Sequence, residues 1–149
     1  VYKPHPDVVA GLRASGTGDL EAQRWANFVL PDASPSQLLT QVDEVHVMTS
    51  LLGFEALLRD TKVFCYGQPF YAGRGLTQDL HPIARRTRRL TLDALVAGSL
   101  LQYPTYLSST TNLLCTPEEA LEELIAKKER SRVDTPWWRR AIRPLIAQK

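Results

Sequence analysis

The sequence predicts an α/β fold, a parallel sheet finished by a helical tail. Three observations carry this. Short β-rich runs alternate with helical ones between residues 28 and 66, and after residue 90 only helical periodicity returns. The composition is that of an ordinary globular domain: 149 residues, 44% hydrophobic and 23% charged, which excludes a disordered, collagenous or coiled-coil chain. No run approaches the ~20 apolar residues of a membrane-spanning helix. The opening Val1-Tyr2-Lys3-Pro4-His5-Pro6 does not read as a leader. Two cysteines, Cys65 and Cys115, are too few for a disulfide framework, so reduced, buried thiols in a cytosolic setting are expected.

Val1-Tyr2-Lys3 reads as the end of a strand entering a Pro-rich turn, so the chain is expected to be part of a longer protein. Asp7 to Arg13 has helical character, broken by Ser15-Gly16-Thr17-Gly18. Phe28-Val29-Leu30 is a short strand candidate. Ser34 is placed to cap a helix through about Gln41, with Pro35 at its first position. Val45-His46-Val47-Met48 reads as a buried strand. Thr49-Ser50 caps the next helix, whose apolar face is Leu51, Leu52, Phe54, Leu57 and Leu58. Lys62 to Tyr66 is a further strand.

From Gly67 to about Arg89 the periodicity is lost, and connections of that length tend to be functional. Leu92, Leu95, Val96 and Leu100 then fall at helical spacing. Thr116-Pro117-Glu118-Glu119 is a capping box opening another helix, with acids first and Lys127, Lys128 and Arg130 last. A final basic, aromatic helix is expected from about Pro136. Two segments follow from this reading: an α/β core over 1–90, truncated at its amino side, and helices over 91–149 packing on the same domain.

The formal net charge of +2 conceals an asymmetry. Residues 1–81 hold six Lys/Arg against nine Asp/Glu, and residues 82–149 hold twelve against seven. A basic second half suits an anionic partner or simply a solvated face. Arg85-Arg86-Thr87-Arg88-Arg89 and Trp137-Trp138-Arg139-Arg140 come with no nucleic-acid fold, so no nucleic-acid partner is expected. The tail, with Arg143, suits an anionic lipid surface or, as readily, packing on the core. No metal-spaced Cys/His cluster and no phosphate loop ending in Gly-Lys-Ser/Thr occurs.

Ligands of parallel α/β sheets bind outside the carboxyl ends of the strands. Three segments should meet there: Lys3–Pro6, Thr49-Ser50, and the loop starting at Gly67. Two prolines fix the direction of His5 beside the cation of Lys3, which suits a phosphate. Thr49-Ser50 offers hydroxyls and free N–H groups at a helix start, with Glu55 one turn in. Tyr66-Gly67-Gln68-Pro69-Phe70-Tyr71-Ala72-Gly73-Arg74-Gly75-Leu76-Thr77 places aromatics and an amide in a Gly-rich loop, where rings can stack on a base or sugar and Gln68 can read a polar edge.

These segments, with Tyr2 to Asp7, Val45 to Arg59, Tyr66 to Gly73, Arg85 to Asp93 and Tyr103-Pro104-Thr105-Tyr106, resemble the bacterial capsular polysaccharide biosynthesis proteins, which are β-Kdo transferases. The resemblance covers nearly the whole chain, in order. It implies the Rossmann-like, nucleotide-binding, C-terminal half of a GT-B-type glycosyltransferase with CMP-Kdo as donor, a glycolipid acceptor and no cofactor. It further implies a cytoplasmic location peripheral to the inner membrane, where an anionic surface and the N-terminal half of the parent protein are partners.

By the same resemblance, His5 contacts donor phosphate or ribose, Thr49-Ser50 bind phosphate, and Gln68 to Gly73 shape the cytidine and sugar pocket. Lys3, Pro6, Glu55, Tyr66, Phe70 and Tyr71 complete the expected donor site. Arg74 departs from the family, which carries Trp there. The transfer retains configuration, which by double displacement requires a carboxylate nucleophile. Of the nearby acids, Asp7, Glu55 and Asp79, none is visibly paired with a second, so the nucleophile is expected outside this chain. The rival readings are a non-catalytic docking module of a capsule synthesis or export complex, and a transferase using another nucleotide sugar.

Overall fold

The computed structural model describes residues 1–5, 21, 22 and 24–133. The expected helix at Asp7–Arg13, its Gly-rich break and the basic aromatic tail lie outside them. Two compact units, Val1–Leu92 and Asp93–Lys149, divide the chain.

The first unit is built on three parallel strands in the order β1-β2-β3: β1 Glu44–Val47, β2 Lys62–Cys65 and β3 Gln78–Asp79. The first two alternate strictly. Val45 and Val47 pair with Val63 and Cys65 and turn inward, while Glu44, His46 and Lys62 face outward. A one-turn helix, α1 (Pro35–Leu38), precedes β1. Ser34 has the extended backbone of a cap, but its hydroxyl meets Ser36 rather than a backbone N–H, and the helix stops short of Gln41.

Helix α2 (Leu52–Leu57) connects β1 to β2 and covers the inner face of the sheet. Its buried stripe is Gly53, Phe54, Ala56 and Leu57. This corrects the expected face, since Leu51 and Leu58 are exposed. The close contact is made by small residues, and the flanking leucines fall outside a helix of only six residues. Asp60, at φ 57°, ends the turn, and the N–H of Thr61 returns to the Ala56 carbonyl.

Strand β3 corrects the expectation that no strand follows Tyr66. Gln-Asp has no β-branched signature, and the strand exists through pairing with Phe64 and Cys65 and the Leu80 N–H to Cys65 carbonyl bond. The expected strands at Val1–Lys3 and Phe28–Leu30 reduce to one parallel bridge between Tyr2 and Val29.

Helix α3 (Leu92–Val96) leads into a π-helical turn, Ala97–Gln102, where the Ser99 hydroxyl donates to the Leu95 carbonyl. Of the four apolar residues at helical spacing, Leu95 alone is fully buried. A hairpin that the sequence did not suggest follows, β4 (Tyr106–Leu107) and β5 (Leu114–Cys115). Its turn is closed by the buried Ser108 hydroxyl, which accepts from the N–H groups of Thr110 and Thr111. Helix α4 (Pro117–Val133) opens on the expected box: Thr116 N–H donates to Glu119 Oε2 at 2.8 Å, and Glu119 N–H to Thr116 Oγ1 at 3.2 Å. Glu123 of α4 accepts from both hydroxyls and one N–H of Ser108 and Ser109, tying helix to hairpin.

Candidate functional site

The carboxyl ends of β1 and β2 bring together the turn Met48–Ser50 and the loop from Tyr66 to Thr77. A Cβ on Gly67 would stand 2.6 Å from the Met48 carbonyl oxygen, so only glycine lets the two backbones approach this closely. The Tyr71 hydroxyl donates to the Ser50 carbonyl, and its ring lies against Gly53. Two of the three segments expected to converge therefore do so. In the third, Lys3 Nζ donates to the Pro31 carbonyl at 2.6 Å, and Tyr2 bridges to Val29. Pro6 and Asp7 lie outside the described residues, and His5 is exposed.

The loop is held in shape by residues beyond it. Asp79 accepts from the Gly73 N–H through Oδ2 at 2.8 Å and from the Thr77 hydroxyl through Oδ1 at 2.7 Å. Arg86 Nη1 donates to the carbonyls of Pro69, at 2.5 Å, and Ala72, at 2.7 Å. Burial and the like charges of Arg85 and Arg74 push the Arg86 pKa down, while Asp79 opposes them. Neither pin was visible as such in the sequence, where Asp79 read as an isolated acid and Arg86 as part of a basic run.

Tyr71 is fully buried, and burial followed by the neighbouring Cys65 pushes its hydroxyl well above the ordinary phenol range. It shapes the site from beneath and presents no ring surface for stacking. Gly73 has its N–H committed to Asp79, so it too is a shaping residue. Ser50 Oγ accepts from the Leu52 N–H at 3.2 Å, at the start of a helix of six residues. Glu55 is half-buried, and its carbonyl takes the Arg59 guanidinium at 2.8 Å.

Thr49, Gln68 and Phe70 remain open to solvent at the meeting point. Phe70 is 43% exposed, and its ring is braced edge-on by Tyr71, with centroids 5.2 Å apart, and by the tilted ring of Phe54 at 5.1 Å. It is the ring positioned to stack on a planar ligand. Tyr66 belongs to the outer sheet face. Its hydroxyl meets His46 Nδ1 at 3.0 Å, while His46 Nε2 meets Glu44 Oε1 at 3.0 Å and the imidazole stacks on Phe64. The His46 bond holds Glu44 below the usual carboxylate range against its partial desolvation, with Lys62 assisting.

An open pocket of about 290 Å³ sits at the other end of β2, lined by Leu57, Asp60, Thr61, Lys62, Leu76 and Leu92. It holds no aromatic and lies away from the carboxyl ends where parallel sheets bind ligands.

A parallel β-α-β unit, with Thr49, Gln68 and Phe70 exposed beyond the carboxyl ends of its strands, defines an α/β protein. The chain belongs to the capsule polysaccharide biosynthesis protein family, whose sequence model matches residues 1–110. It is 52% identical over 128 residues to the capsule polysaccharide modification protein LipA of Neisseria meningitidis serogroup B, covering 86% of this chain and 18% of that protein. It is 40% identical to the lipopolysaccharide-processing protein LpsZ of Rhizobium meliloti, covering 86% of this chain and 29% of LpsZ. The chain thus spans less than a third of these relatives.

Among solved structures, KpsC of Thermosulfurimonas dismutans, a beta Kdo 2,7 transferase, superposes with a TM-score of 0.73 at 44% identity, over 85% of this chain and 40% of that one. The beta Kdo 2,4 transferase of the same organism's KpsC gives 0.68 at 33% identity, over 83% and 38%. No helix among the described residues is long and apolar enough to cross a membrane.

Proposed function

We infer that this chain is the donor-binding portion of a β-Kdo transferase of capsule assembly, half of a GT-B-type enzyme that takes CMP-Kdo and a glycolipid acceptor. The observation that carries this reading is the braced, half-exposed Phe70 beside Gln68 and Thr49 at the carboxyl ends of β1 and β2. In this arrangement Phe70 stacks on the cytosine, Gln68 reads its polar edge, Thr49 meets the phosphate, and Tyr71 and Gly73 fix the loop that carries them. His5 completes the phosphate side. The likeness to the two Kdo transferase structures supports the choice of nucleotide sugar. Work at the cytoplasmic face of the inner membrane belongs to the same reading.

The test is a titration of the chain with CMP and with UDP, followed by thermal shift and amide NMR. CMP is expected to move the resonances of Thr49, Gln68 and Phe70, with UDP weaker. Removing the hydrogen bond of Gln68 or of His5 by alanine should weaken CMP about tenfold, the equivalent of ~1.4 kcal/mol. No response to CMP would favour the docking-module reading, and a stronger response to UDP a different nucleotide sugar.

A further inference from the structure

The basic run 85–89, which the nucleotide reading leaves unused, folds back onto the loop. The Arg89 guanidinium packs against Gly75, with Nε 2.9 Å and Cζ 3.3 Å from where a Cβ would stand. The Leu90 N–H donates to the Arg74 carbonyl at 3.0 Å, which sets Arg74 beside that arginine. Arg86 packs over Gly73, and Arg85 and Arg74 are both near enough to act on it as like charges. Gly73 and Gly75 have φ of 72° and 82°, so the turn against which the Arg86 stem and the Arg89 guanidinium pack is one that glycine adopts without strain.

This concentration of positive charge has almost nothing against it. Asp79 is the acid that acts on Arg86, and both of its oxygens are committed, to Gly73 and Thr77. Among the described residues, ion pairs join Arg24 to Glu21 and Glu44 to His46 and Lys62, and none reaches Arg74, Arg85 or Arg89. Arg86 Nη1 is committed to the carbonyls of Pro69 and Ala72, whereas Arg85 and Arg89 are exposed and Arg74 is half-buried. Planar guanidinium forks match the oxygens of a tetrahedral oxyanion better than any other side chain does.

The geometry points to a phosphate-binding site formed by Arg74, Arg85 and Arg89 at the outer edge of the loop, separate from the nucleotide pocket proposed above. The group bound is a phosphate, carried either by a lipid headgroup or by a soluble molecule.

The Nε–Hε resonances of the arginines in the 149-residue chain are followed by NMR while inorganic phosphate is added at low ionic strength, with chloride as control. Arg74, Arg85 and Arg89 should shift together and saturate. Arg74→Gln with Arg89→Gln should weaken the response at least about fivefold, as expected for two lost charge-assisted contacts. Should that pair disturb folding, Arg85→Gln alone, at an exposed position, gives the same test at smaller amplitude.

A second arm sediments the chain with phosphatidylglycerol/phosphatidylcholine vesicles and with phosphatidylcholine alone. Retention on the anionic vesicles that disappears in the double variant identifies a lipid headgroup. A saturable response to free phosphate without vesicle retention identifies a soluble phosphate. Shifts that track ionic strength alone, with vesicle retention absent or unaltered by the variants, overturn the site. CMP affinity should be retained in the double variant. Its loss in parallel with phosphate would merge the two sites and overturn their separation, whereas failure of CMP to bind the parent chain bears on the nucleotide reading alone.

Discussion

The Tyr71 hydroxyl donates a hydrogen bond to the backbone carbonyl of Ser50, so the loop after β2 is fastened to the turn after β1. The ring that delivers this hydroxyl occupies the space above Gly53, on the first turn of α2. One buried phenol therefore sets the spacing of two segments whose exposed residues form the candidate site.

Gly53→Ala is expected to destabilise the first unit by about 1–3 kcal/mol, the usual cost of overpacking a core. A Cβ there would fall 2.8 Å from Tyr71 Cζ, and neither the ring nor the helix has room to yield. Urea denaturation measures the loss. Tyr71→Phe, which removes one hydrogen bond and keeps the ring, should cost about 1 kcal/mol. A Gly53→Ala cost well below about 1 kcal/mol would show that the ring is not closely packed on Gly53.

Arg86→Ala should release the loop while leaving the sheet intact. The guanidinium satisfies the carbonyls of Pro69 and Ala72, and bonds from a charged donor are worth about 2 kcal/mol. Hydrogen exchange at Ala72 and Gly73 should rise, with that of Val63 and Cys65 unchanged. Uniform acceleration through the unit would mean that Arg86 supports the whole fold.

The elements legible in the sequence are those whose own residues decide them. Val45/Val47 and Val63/Cys65 alternate, so β1 and β2 could be read directly, and the Thr116–Glu119 box is complete within four residues. Strand β3 could not be read, because Gln78-Asp79 becomes a strand through what β2 offers it. The candidate loop was legible as a segment, from its aromatics and glycines. The division of labour inside it was not. That Tyr71 is buried while Phe70 is braced and open depends on Gly53, Phe54 and Ser50, some twenty residues away in the chain. Asp79 and Arg86 looked like ordinary charges, and their roles come from backbone groups that sequence does not show.

The second unit should lose its hairpin contact in acid. Hydrogen bonds from Ser108 and then Ser109 hold the Glu123 carboxyl below its ordinary pKa of 4.5, against partial desolvation. A group whose pKa is depressed on folding contributes stability above its unfolded value, and that contribution is lost as pH falls through the folded value. Exchange protection at Ser109 should therefore be constant above about pH 5 and fall progressively below 4.5. Glu123→Gln should flatten this dependence. An acid limb that persists in the Gln variant would assign it to another carboxylate.

On the reading proposed above, the isolated chain should bind donor and transfer no sugar. Retention by double displacement requires a carboxylate free to attack the anomeric carbon and a second group to manage the acceptor proton. Asp79 stands nearest the loop, yet both its oxygens are taken, by the Gly73 N–H and the Thr77 hydroxyl, so it is a structural anchor. Glu55 is half-buried in α2, one turn from its start. The chain spans 40% and 38% of the two transferase structures it resembles, and in a two-domain transferase the acceptor-side half supplies the remaining groups. Incubation with CMP-Kdo generated in situ and a Kdo-bearing glycolipid should give no product above the spontaneous rate, with CMP binding intact in the same preparation. Product formation would place the nucleophile within these residues. Asp7→Asn and Asp79→Asn would then identify it: loss of turnover with CMP binding retained marks the attacking carboxylate, and loss of both marks the loop anchor.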